Sequence, residues 1–478
     1  PIFRRGGAFF IRRSFSGNKL YSAVFREYLC QLFSKGYSVK YYTEGGRSRT
    51  GRLLQPKTGM LAMTLQSMLR GIERPVTLVP VYLGYEHVME VNTYLRELKG
   101  SGKQKESAWG VIKAIRNLRD YGYGYVNFGE PITLNNYLNQ HVPDWKQDLH
   151  PMEVQKPQWL NPTVARLADT LMQRINHAAA LNSINLIALC LLATEKHTLT
   201  RRELEQQLDF YLQLQRTVPY NKQMTLPEES AAQLIDHAIQ LQKVQQQRDS
   251  FGELLSLSEE NAVLLSYYRN NVLHAYILPA IIASAILHQR DISQQHLQQI
   301  VQQLFPLLQQ ELFLNVSDVN AYCTAILQHL TDTGLAEQVE QNYRAPAQNS
   351  NGYFMLSMLA HNAEHTLQRY AMVLQLIESQ GAQSRAVLEK HSHELAQRLL
   401  SLHGITAPEY YDKQLFATLV NALKDGGFTQ TDERSQVVAT AQLPLLNTTV
   451  GLLLRNDVLQ SIHSIVPAAN PATAAITH

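Results

Sequence analysis

The segment Glu44 to Arg52, EGGRSRTGR, combines the residue types that suit the binding of an anion. It contains three arginines, three glycines and one carboxylate. A guanidinium group presents a planar fork of donors that matches phosphate or carboxylate, and glycine permits backbone conformations closed to other residues. The segment therefore predicts a flexible loop that binds an anionic group. It lacks the Gly-Lys-Ser/Thr ending of a Walker loop, so a nucleoside triphosphatase is not inferred.

Other interpretations of the same residues stay open at this point. The segment is also compatible with a flexible linker or a basic kinase-target sequence. Glu44 either neutralises the nearby arginines or accepts a hydrogen bond from a substrate hydroxyl while it orients a guanidinium. Arg4 and Arg5 are compatible with solvated surface residues. Arg12 and Arg13 are stronger candidates for the site, because they directly end an apolar run.

The positive charge of the chain is concentrated near this segment. The first 52 residues carry eleven Lys and Arg against two Glu, a net charge of +9, although the whole chain of 478 residues carries only +3. The other 426 residues are therefore net −6. Such local basicity favours a site for an anionic ligand over a surface for nucleic acid.

The elements that would position this site follow from the apolar patterns. Strands are predicted at 6–13 (GGAFFIRR), 37–43 (YSVKYYT), 75–87 (PVTLVPVYLGYEH, interrupted by Pro80) and within 121–132 (YGYGYVNFGEPI). Helices are predicted between them, along the apolar stripe from Tyr21 to Phe33 with Gly36 as the C-terminal glycine, and in GMLAMTLQSMLRG, closed by Gly71. The alternation predicts a parallel or mixed α/β sheet flanked by helices. Ligands of such sheets gather at the carboxyl ends of the strands, so Arg12, Arg13, the arginine loop and Tyr85–His87 are expected on one rim.

The rest of the chain predicts a different architecture. We expect an α/β domain at 1–138, an irregular linker at 139–163 and a predominantly α-helical C-terminal region at 164–478. TRRE at 200–203 and TLPE at 225–228 are typical capping boxes. No repeat of fixed period is evident. The longest apolar run, 13 residues at 275–287, is short of the roughly 20 that a membrane-spanning helix needs. Three widely spaced cysteines favour a reducing, cytosolic compartment.

Two further groups of polar residues have open interpretations. His87 with Glu86 and Glu90 suggests a metal site or a general base, but a single His at a strand end is more often structural. The stretch YYRNNVLHAY at 267–276 places Arg269, Asn270, Asn271 and His274 in an apolar helix. These polar groups form either a buried network or a contact between domains.

Several long motifs in this order resemble a known family. GGAFFIRR, EGGRSRTGR, VPVYLGYEHVMEV and VNFGEPI, with YYRNN and HGITAPEYYDK further on, resemble the bacterial membrane-associated glycerol-3-phosphate 1-O-acyltransferases of the glycerolipid acyltransferase superfamily. The resemblance covers most of the chain. The resemblance implies that Arg13, Glu44, Gly45, Arg47 and Ser48 bind the glycerol phosphate, and that Pro80 marks the side of the acyl donor. With their neighbours Arg12, Gly46 and Arg49, these residues form the predicted substrate site.

The resemblance also implies what the enzyme does and where it works. The partners would be glycerol 3-phosphate, acyl-coenzyme A or acyl carrier protein, and an anionic membrane surface, and the product would be lysophosphatidic acid. No cofactor, metal or nucleic acid is implied. The location would be peripheral, at the cytoplasmic face of the bacterial inner membrane, in phospholipid synthesis.

One departure from the family pattern concerns the catalytic base. The superfamily uses a His-x-x-x-x-Asp motif in which His takes the proton of the acceptor hydroxyl, yet none of the 17 histidines has Asp five residues later. In the family this motif precedes the block at PIFRRGGAFFIRR, where the chain starts. We therefore expect a C-terminal fragment that is inactive alone. The alternatives are a non-catalytic phosphate-binding or membrane scaffold, and a related acyltransferase for another acceptor such as dihydroxyacetone phosphate.

Overall fold

The computed structural model describes residues 5–9, 11–12, 17–88, 121–403 and 407–466. By their internal contacts the residues form two compact units. Unit 1 comprises Pro1–Arg47, Leu54–Pro80 and Phe128–Arg174, and unit 2 comprises Ser48–Leu53, Val81–Asn127 and Ile175–His478. The division at 1–138, 139–163 and 164–478 stays a prediction.

Unit 1 contains four helices and two short strands among its described residues. The helices are α1 (Lys19–Ser34), α2 (Gly59–Met68), α3 (Leu134–His141) and α4 (Leu160–His177, assigned to unit 1 up to Arg174), and the strands are β1 (Thr77–Leu78) and β4 (Ile132–Thr133). Asn18 caps α1 by accepting a bond from Tyr21 N, and Gly36 follows its end at φ +77°. The apolar stripe of α1 buries Phe25 and Leu29, so the helix predicted there is confirmed.

The core of unit 1 forms between helices. Leu61 and Leu65 of α2 are fully buried, and they belong to one apolar cluster with Leu138 and Leu167. Trp145 joins this cluster from a 3₁₀ turn at Trp145–Asp148. The stretch 139–163 is therefore only partly the irregular linker that we predict from its prolines, because an apolar residue inside it has a place in the core.

Two of the predicted strands are wrong. The described residues of 6–13 form no strand, and Phe9 and Ile11 are exposed rather than buried. Phe9 packs its ring against Phe25 and Tyr28 of α1. Residues 37–43 also form no strand and pair with none among the described residues. Apolar and aromatic residues favour extended backbone, but a strand exists only where a second strand completes the hydrogen-bond ladder.

The third predicted strand is confirmed with the break at Pro80. It divides into β1 and β2 (Val81–Tyr85), and β2 pairs with β3 (Gly124–Phe128), the strand predicted within 121–132. β1 pairs with β4 in antiparallel register, Thr77 opposite Thr133. The strand pairs of known register, β1 with β4 and the three-stranded sheets of unit 2, are antiparallel. The parallel or mixed sheet expected from the predicted strands stays a prediction. Apolar runs separated by helices do not reveal which strands pair.

Unit 2 contains a structural repeat that the sequence does not make evident. Each copy has the order helix, short strand, helix, helix, two-stranded hairpin, which is the topology of a winged helix. Copy 1 is α5 (Ser183–Leu191), β5 (Thr198–Thr200), α6 (Arg201–Thr217), α7 (Ala231–Gln240), β6 (Gln245–Asp249) and β7 (Gly252–Ser256). Copy 2 is α8 (Glu259–His288), β8 (Ile292–Ser293), α9 (Gln294–Leu312), α10 (Val319–Asp332), β9 (Glu337–Val339) and β10 (Asn342–Arg344). Copy 3 is α11 (Asn351–Gln380), β11 (Gln383–Ser384), α12 (Arg385–His403), α13 (Lys413–Asp425), β12 (Thr429–Thr431) and β13 (Gln436–Ala439).

The three copies share sheet order and helix caps. In each sheet the last strand lies between the first and the second, and the first strands begin at Thr198, Ile292 and Gln383, at intervals of 94 and 91 residues. Each first strand ends in a Ser or Thr whose hydroxyl accepts a bond from a backbone N–H of the next helix, at 3.2, 3.2 and 3.4 Å for Thr200, Ser293 and Ser384. Helices α14 (Leu443–Gly451) and α15 (Asn456–Ile465) follow copy 3.

One of the two predicted capping boxes is correct. Thr200 and Glu203 bond reciprocally at the start of α6. TLPE at 225–228 opens no helix, because α7 begins at Ala231 behind the capping box of Ser230 and Gln233. Both sites fit the cap pattern, and the cap forms at Ser230, which directly precedes the helix.

One described helix, α8, is long and apolar enough to cross a membrane. Most of its apolar window, 83%, is buried inside unit 2. It packs against α5 and α11, and residues from all three copies share one apolar cluster. Its length and composition are thus those of a core helix. Cys30, Cys190 and Cys323 are free and buried.

Candidate functional site

The base of the arginine loop is closed by two hydrogen bonds within unit 1. The Glu44 carboxylate accepts a bond from Leu54 N at 2.7 Å, and Thr43 O accepts one from Lys57 N at 2.7 Å. Burial raises the pKa of Glu44, and the bond from Leu54 opposes this shift. Gly45 turns the chain at φ +62°, where a Cβ atom would lie 2.7 Å from Lys57 Cγ. Glu44 therefore has a role that neither sequence interpretation includes, the closure of its own loop.

Two of the three loop arginines face solvent. Arg47 and Arg49 are exposed, and Gly46 has room around its Cα, since a Cβ there would approach only Leu54 Cδ1 at 3.9 Å. Ser48 differs from its neighbours. Its hydroxyl oxygen is buried and has no hydrogen-bond partner among the described residues. A buried hydroxyl in this state is a candidate partner for a ligand.

The remaining predicted site residues lie in unit 1 or outside the described residues. Arg12 is exposed, its N–H donates to the Tyr21 hydroxyl at 3.0 Å, and its guanidinium lies 4.9 Å from the Tyr21 ring centroid. Arg13 lies outside the described residues. Pro80 is buried, and its carbonyl accepts a bond from Gly129 N at 2.8 Å. The meeting of Arg12, Arg13 and Arg47 on one rim with Tyr85–His87 stays a prediction.

The tip of the loop, Ser48–Leu53, belongs to unit 2 and is bound by α8. Asn270 Nδ2 donates to Thr50 O at 2.8 Å, and Asn271 Nδ2 donates to Gly51 O at 2.8 Å. Gly51 has φ +82°, and a Cβ atom there would overlap the carbonyl oxygen of Tyr267. Glycine is required at this position both by conformation and by the close approach of two backbones.

Arg52 completes the contact through buried charges. Its guanidinium pairs with Glu311 of α9, and both side chains are at most 3% exposed. Glu311 also pairs with Arg369 of α11 and accepts a bond from the Tyr370 hydroxyl at 3.0 Å. Burial alone would raise the pKa of Glu311, but the two guanidinium groups and the hydroxyl outweigh it, so the pKa is lowered. The carboxylate stays ionised and holds two buried arginines.

The other polar residues of the apolar helix α8 serve the interior of unit 2. Arg269 pairs with Glu409, and both side chains are buried. His274 Nε2 lies 3.2 Å from Asn176 O. Of the two open interpretations, the structure shows a buried network for these residues.

The His87 group also has structural contacts. Glu86 is buried, lies 2.7 Å from His237 Nε2 and accepts a bond from Tyr123 N. His87 Nδ1 lies 2.9 Å from Lys243 Nζ. Burial and the nearby Lys243 charge lower the pKa of His87 to about 4. Within the described ranges, no three His, Cys, Asp or Glu side chains are placed to hold a metal ion.

Comparison with known proteins identifies the family. A family model described as the glycerol-3-phosphate acyltransferase C-terminal region matches residues 94–432, and one described as acyltransferase matches residues 1–84. The chain belongs to the glycerol-3-phosphate acyltransferase family. The family resemblance of its motifs is thereby confirmed, together with the expected acyltransferase domain and a mostly helical remainder.

Curated relatives named glycerol-3-phosphate acyltransferase match almost the whole chain. The chain is 50% identical over 472 residues to a protein of Shewanella loihica, which is 99% of this chain and 57% of the relative. It is 50% identical over 466 residues to one of Pseudoalteromonas translucida, 97% of this chain and 57% of the relative. The chain thus spans little more than half the length of these relatives.

The amino-acid sequence alone does not reveal the charged residues that hold the loop tip. Glu311 and Arg369 look like isolated charges on amphipathic helices, and Glu311 is separated from Arg52 by 259 positions. The sequence does contain one indication of this contact. Asn270 and Asn271 lie in an apolar helix, which indicates a buried polar partner but does not identify it.

Proposed function

We propose that the complete protein transfers an acyl group from acyl-coenzyme A or acyl carrier protein to the sn-1 hydroxyl of glycerol 3-phosphate, giving lysophosphatidic acid. The observation that carries this proposal is the family membership of residues 94–432, together with the motif EGGRSRTGR at the N-terminal side. In this chain the motif forms a closed loop in which Arg47 and Arg49 are exposed.

The residues proposed to bind glycerol phosphate are Arg12, Arg13, Glu44, Gly45, Gly46, Arg47, Ser48 and Arg49. The guanidinium groups bind the phosphate, and each charge-assisted bond contributes on the order of 1.5–3 kcal/mol. The Ser48 hydroxyl, buried without a described partner, suits a bond to the same ligand. Pro80 lies on the side of the acyl donor.

The chemistry needs a general base, and the 478 residues do not contain the His-x-x-x-x-Asp motif that provides it in the family. No histidine of the chain has an aspartate five positions later. In the proposed reaction a His-x-x-x-x-Asp histidine of the complete protein takes the proton of the sn-1 hydroxyl, whose oxygen attacks the thioester carbonyl, and the thiolate leaves and is protonated. The present chain supplies the acceptor site.

We also propose peripheral attachment to the cytoplasmic face of the bacterial inner membrane. Leu20, Val24 and Tyr28 lie four residues apart on α1 and are exposed, 76%, 59% and 45% respectively. Val24 also lines a groove of about 410 Å³ with Met152, which is 83% exposed. Apolar side chains beside the basic Arg26 suit an anionic lipid surface.

The experiment compares the chain with a version extended at its N-terminus to include a His-x-x-x-x-Asp. The release of free coenzyme A from acyl-coenzyme A is measured with either glycerol 3-phosphate or dihydroxyacetone phosphate as the acceptor. We expect turnover of glycerol 3-phosphate by the extended version and negligible turnover by the chain alone. Equal turnover by both would refute the assignment of the base.

Two other outcomes would replace the proposal. Preference for dihydroxyacetone phosphate would establish a related acyltransferase. An extended protein that binds glycerol 3-phosphate without any turnover would establish a non-catalytic scaffold. As a matched control, Arg47→Ala in the extended version is expected to raise KM for the acceptor and leave KM for acyl-coenzyme A unchanged.

A further inference from the structure

We propose that the winged-helix region positions the acceptor-binding residues Ser48 and Arg49, with Asn270 and Asn271 as positioning residues. The inference rests on the proposed function, because it takes Ser48 and Arg49 as ligands of the phosphate. It assigns to the C-terminal region an indirect part in acceptor binding, through the backbone of the loop tip.

The first contacts that hold the tip come from α8. Two side-chain amides of α8 donate to consecutive carbonyls, Thr50 O and Gly51 O, both at 2.8 Å. Thr50 is buried, and Asn270 is 4% exposed. Two carbonyls in succession fix the direction of the backbone as well as its position, so the peptide that precedes Thr50 has little freedom. That peptide carries Ser48 and Arg49.

The charge cluster holds the other end of the tip. Arg52 is 4% exposed and pairs with Glu311, which is bound in turn by Arg369 and Tyr370. Separation of a buried guanidinium from its carboxylate is strongly unfavourable in free energy. Between this pair and the two amide bonds, the tip is bound at three consecutive residues, Thr50, Gly51 and Arg52.

The repeat supplies a matched control for the amide contact. Asn270 and Asn362 are each the twelfth residue of a 30-residue helix, α8 and α11, and are 4% and 5% exposed. Asn362 donates to the Tyr211 hydroxyl at 2.9 Å and to Met358 O at 3.0 Å, inside the core. The two asparagines thus have the same burial and helix position, but only Asn270 binds the loop tip.

The test uses the complete enzyme and its variants Asn270→Ala, Asn271→Ala and Asn362→Ala. KM and kcat are measured for glycerol 3-phosphate and for acyl-coenzyme A, and amide hydrogen exchange is followed in a peptide that covers 48–53. We expect Asn270→Ala to raise KM for glycerol 3-phosphate about tenfold, equivalent to about 1.4 kcal/mol. KM for acyl-coenzyme A stays within twofold, and exchange at 48–53 becomes faster. Asn362→Ala changes neither.

Three results would overturn the proposal. The first is an unchanged KM for glycerol 3-phosphate in Asn270→Ala and Asn271→Ala. The second is an equal rise in Asn362→Ala, which would show a loss of stability alone. The third is a rise in KM for both substrates to the same extent.

Failure of the proposed function gives a different result. The wild-type enzyme then does not acylate glycerol 3-phosphate, and the loop contact is judged by hydrogen exchange. Faster exchange at 48–53 confined to Asn270→Ala and Asn271→Ala supports the anchoring, and unchanged exchange overturns it.

Discussion

Glu311 is the residue whose replacement tests the buried charge cluster most directly. Its carboxylate is 1% exposed and is shared by the guanidinium groups of Arg52 and Arg369, which are 3% and 1% exposed. Glu311→Gln keeps the size and the acceptor oxygen but removes the negative charge. Two buried arginines then remain with one neutral amide and the Tyr370 hydroxyl. We expect a large loss of stability from this single exchange.

The magnitude follows from the burial. Removal of one partner of a buried ion pair costs about 3–5 kcal/mol, because the remaining charge is left without compensation. Here two charges are affected, so the upper part of this range is expected. With a urea dependence of about 3 kcal/mol per molar, the upper part of the range moves the unfolding midpoint down by roughly 1.3–1.7 M. Far-UV circular dichroism reports the transition, since unit 2 is mostly helical.

The matched control is an exposed pair in the same unit. Glu337 pairs with Arg344 at 2.9 Å, but both side chains are about half exposed. Such pairs contribute about 0–1 kcal/mol, so Glu337→Gln is expected to move the midpoint by less than about 0.3 M. If Glu311→Gln moves it no further than Glu337→Gln, the reasoning about the cluster is refuted.

A second variant covers the case in which Glu311→Gln does not fold. The triple variant Arg52→Met, Glu311→Leu, Arg369→Met replaces the charges by apolar side chains of similar volume. Replacement of a whole buried network in this way is often neutral or stabilising by about 1–4 kcal/mol. We therefore expect the triple variant to fold and to be at least about as stable as the wild type. A triple variant as unstable as the single one would argue against the assigned cause.

Three further predictions concern other parts of the chain. Gly51→Ala is expected to destabilise unit 2 by roughly 1–3 kcal/mol or more, because the new Cβ atom strains the backbone and overlaps a neighbouring carbonyl. Gly59 has open space around it, so Gly59→Ala should change the free energy of unfolding in urea by less than about 1 kcal/mol. Equal effects of the two variants would contradict the close approach at Gly51. Burial lowers the pKa of Lys243 from 10.5 to about 8, so the unfolded chain binds more protons between these values and stability rises with pH across that window. Lys243→Met should therefore be more stable than the wild type at pH 7, by up to about 3 kcal/mol, and lose this advantage by pH 10.5; a difference independent of pH would contradict the assignment. Val24→Asp should reduce cosedimentation with anionic vesicles several-fold, and Val339→Asp, at another exposed position, should not.

The sequence predicts local elements well where the signal is local. The stripe from Tyr21 to Phe33 and the glycine at position 36 identify α1, because a helix buries residues at 3.6-residue spacing and often ends at a glycine with positive φ. Pro80 likewise marks the break between β1 and β2. The strands predicted at 6–13 and 37–43 fail because pairing is a property of two segments, and the sequence of one does not reveal the other.

The candidate site is predictable in part for the same reason. The arginine loop and its glycines are visible from residue type alone, but the bond from Leu54 to Glu44 and the contacts of Asn270, Arg52 and Glu311 join distant segments. The three copies of the repeat in unit 2 share one topology. A Ser or Thr at the end of each short first strand is its clearest local mark in the sequence.

The contact between α8 and the loop tip also bears on the exchange of segments among relatives. Asn270 and Asn271 bind main-chain oxygens, which every sequence provides, so these two hydrogen bonds do not depend on the side chain at position 50, whereas position 51 must be glycine. Arg52 is different, because its partner must come from the same parent or carry the same charge. A chimaera that joins the first 138 residues of one relative to the C-terminal part of another is then expected to keep the contacts of the loop tip wherever a Gly-Arg pair meets an asparagine pair and a carboxylate.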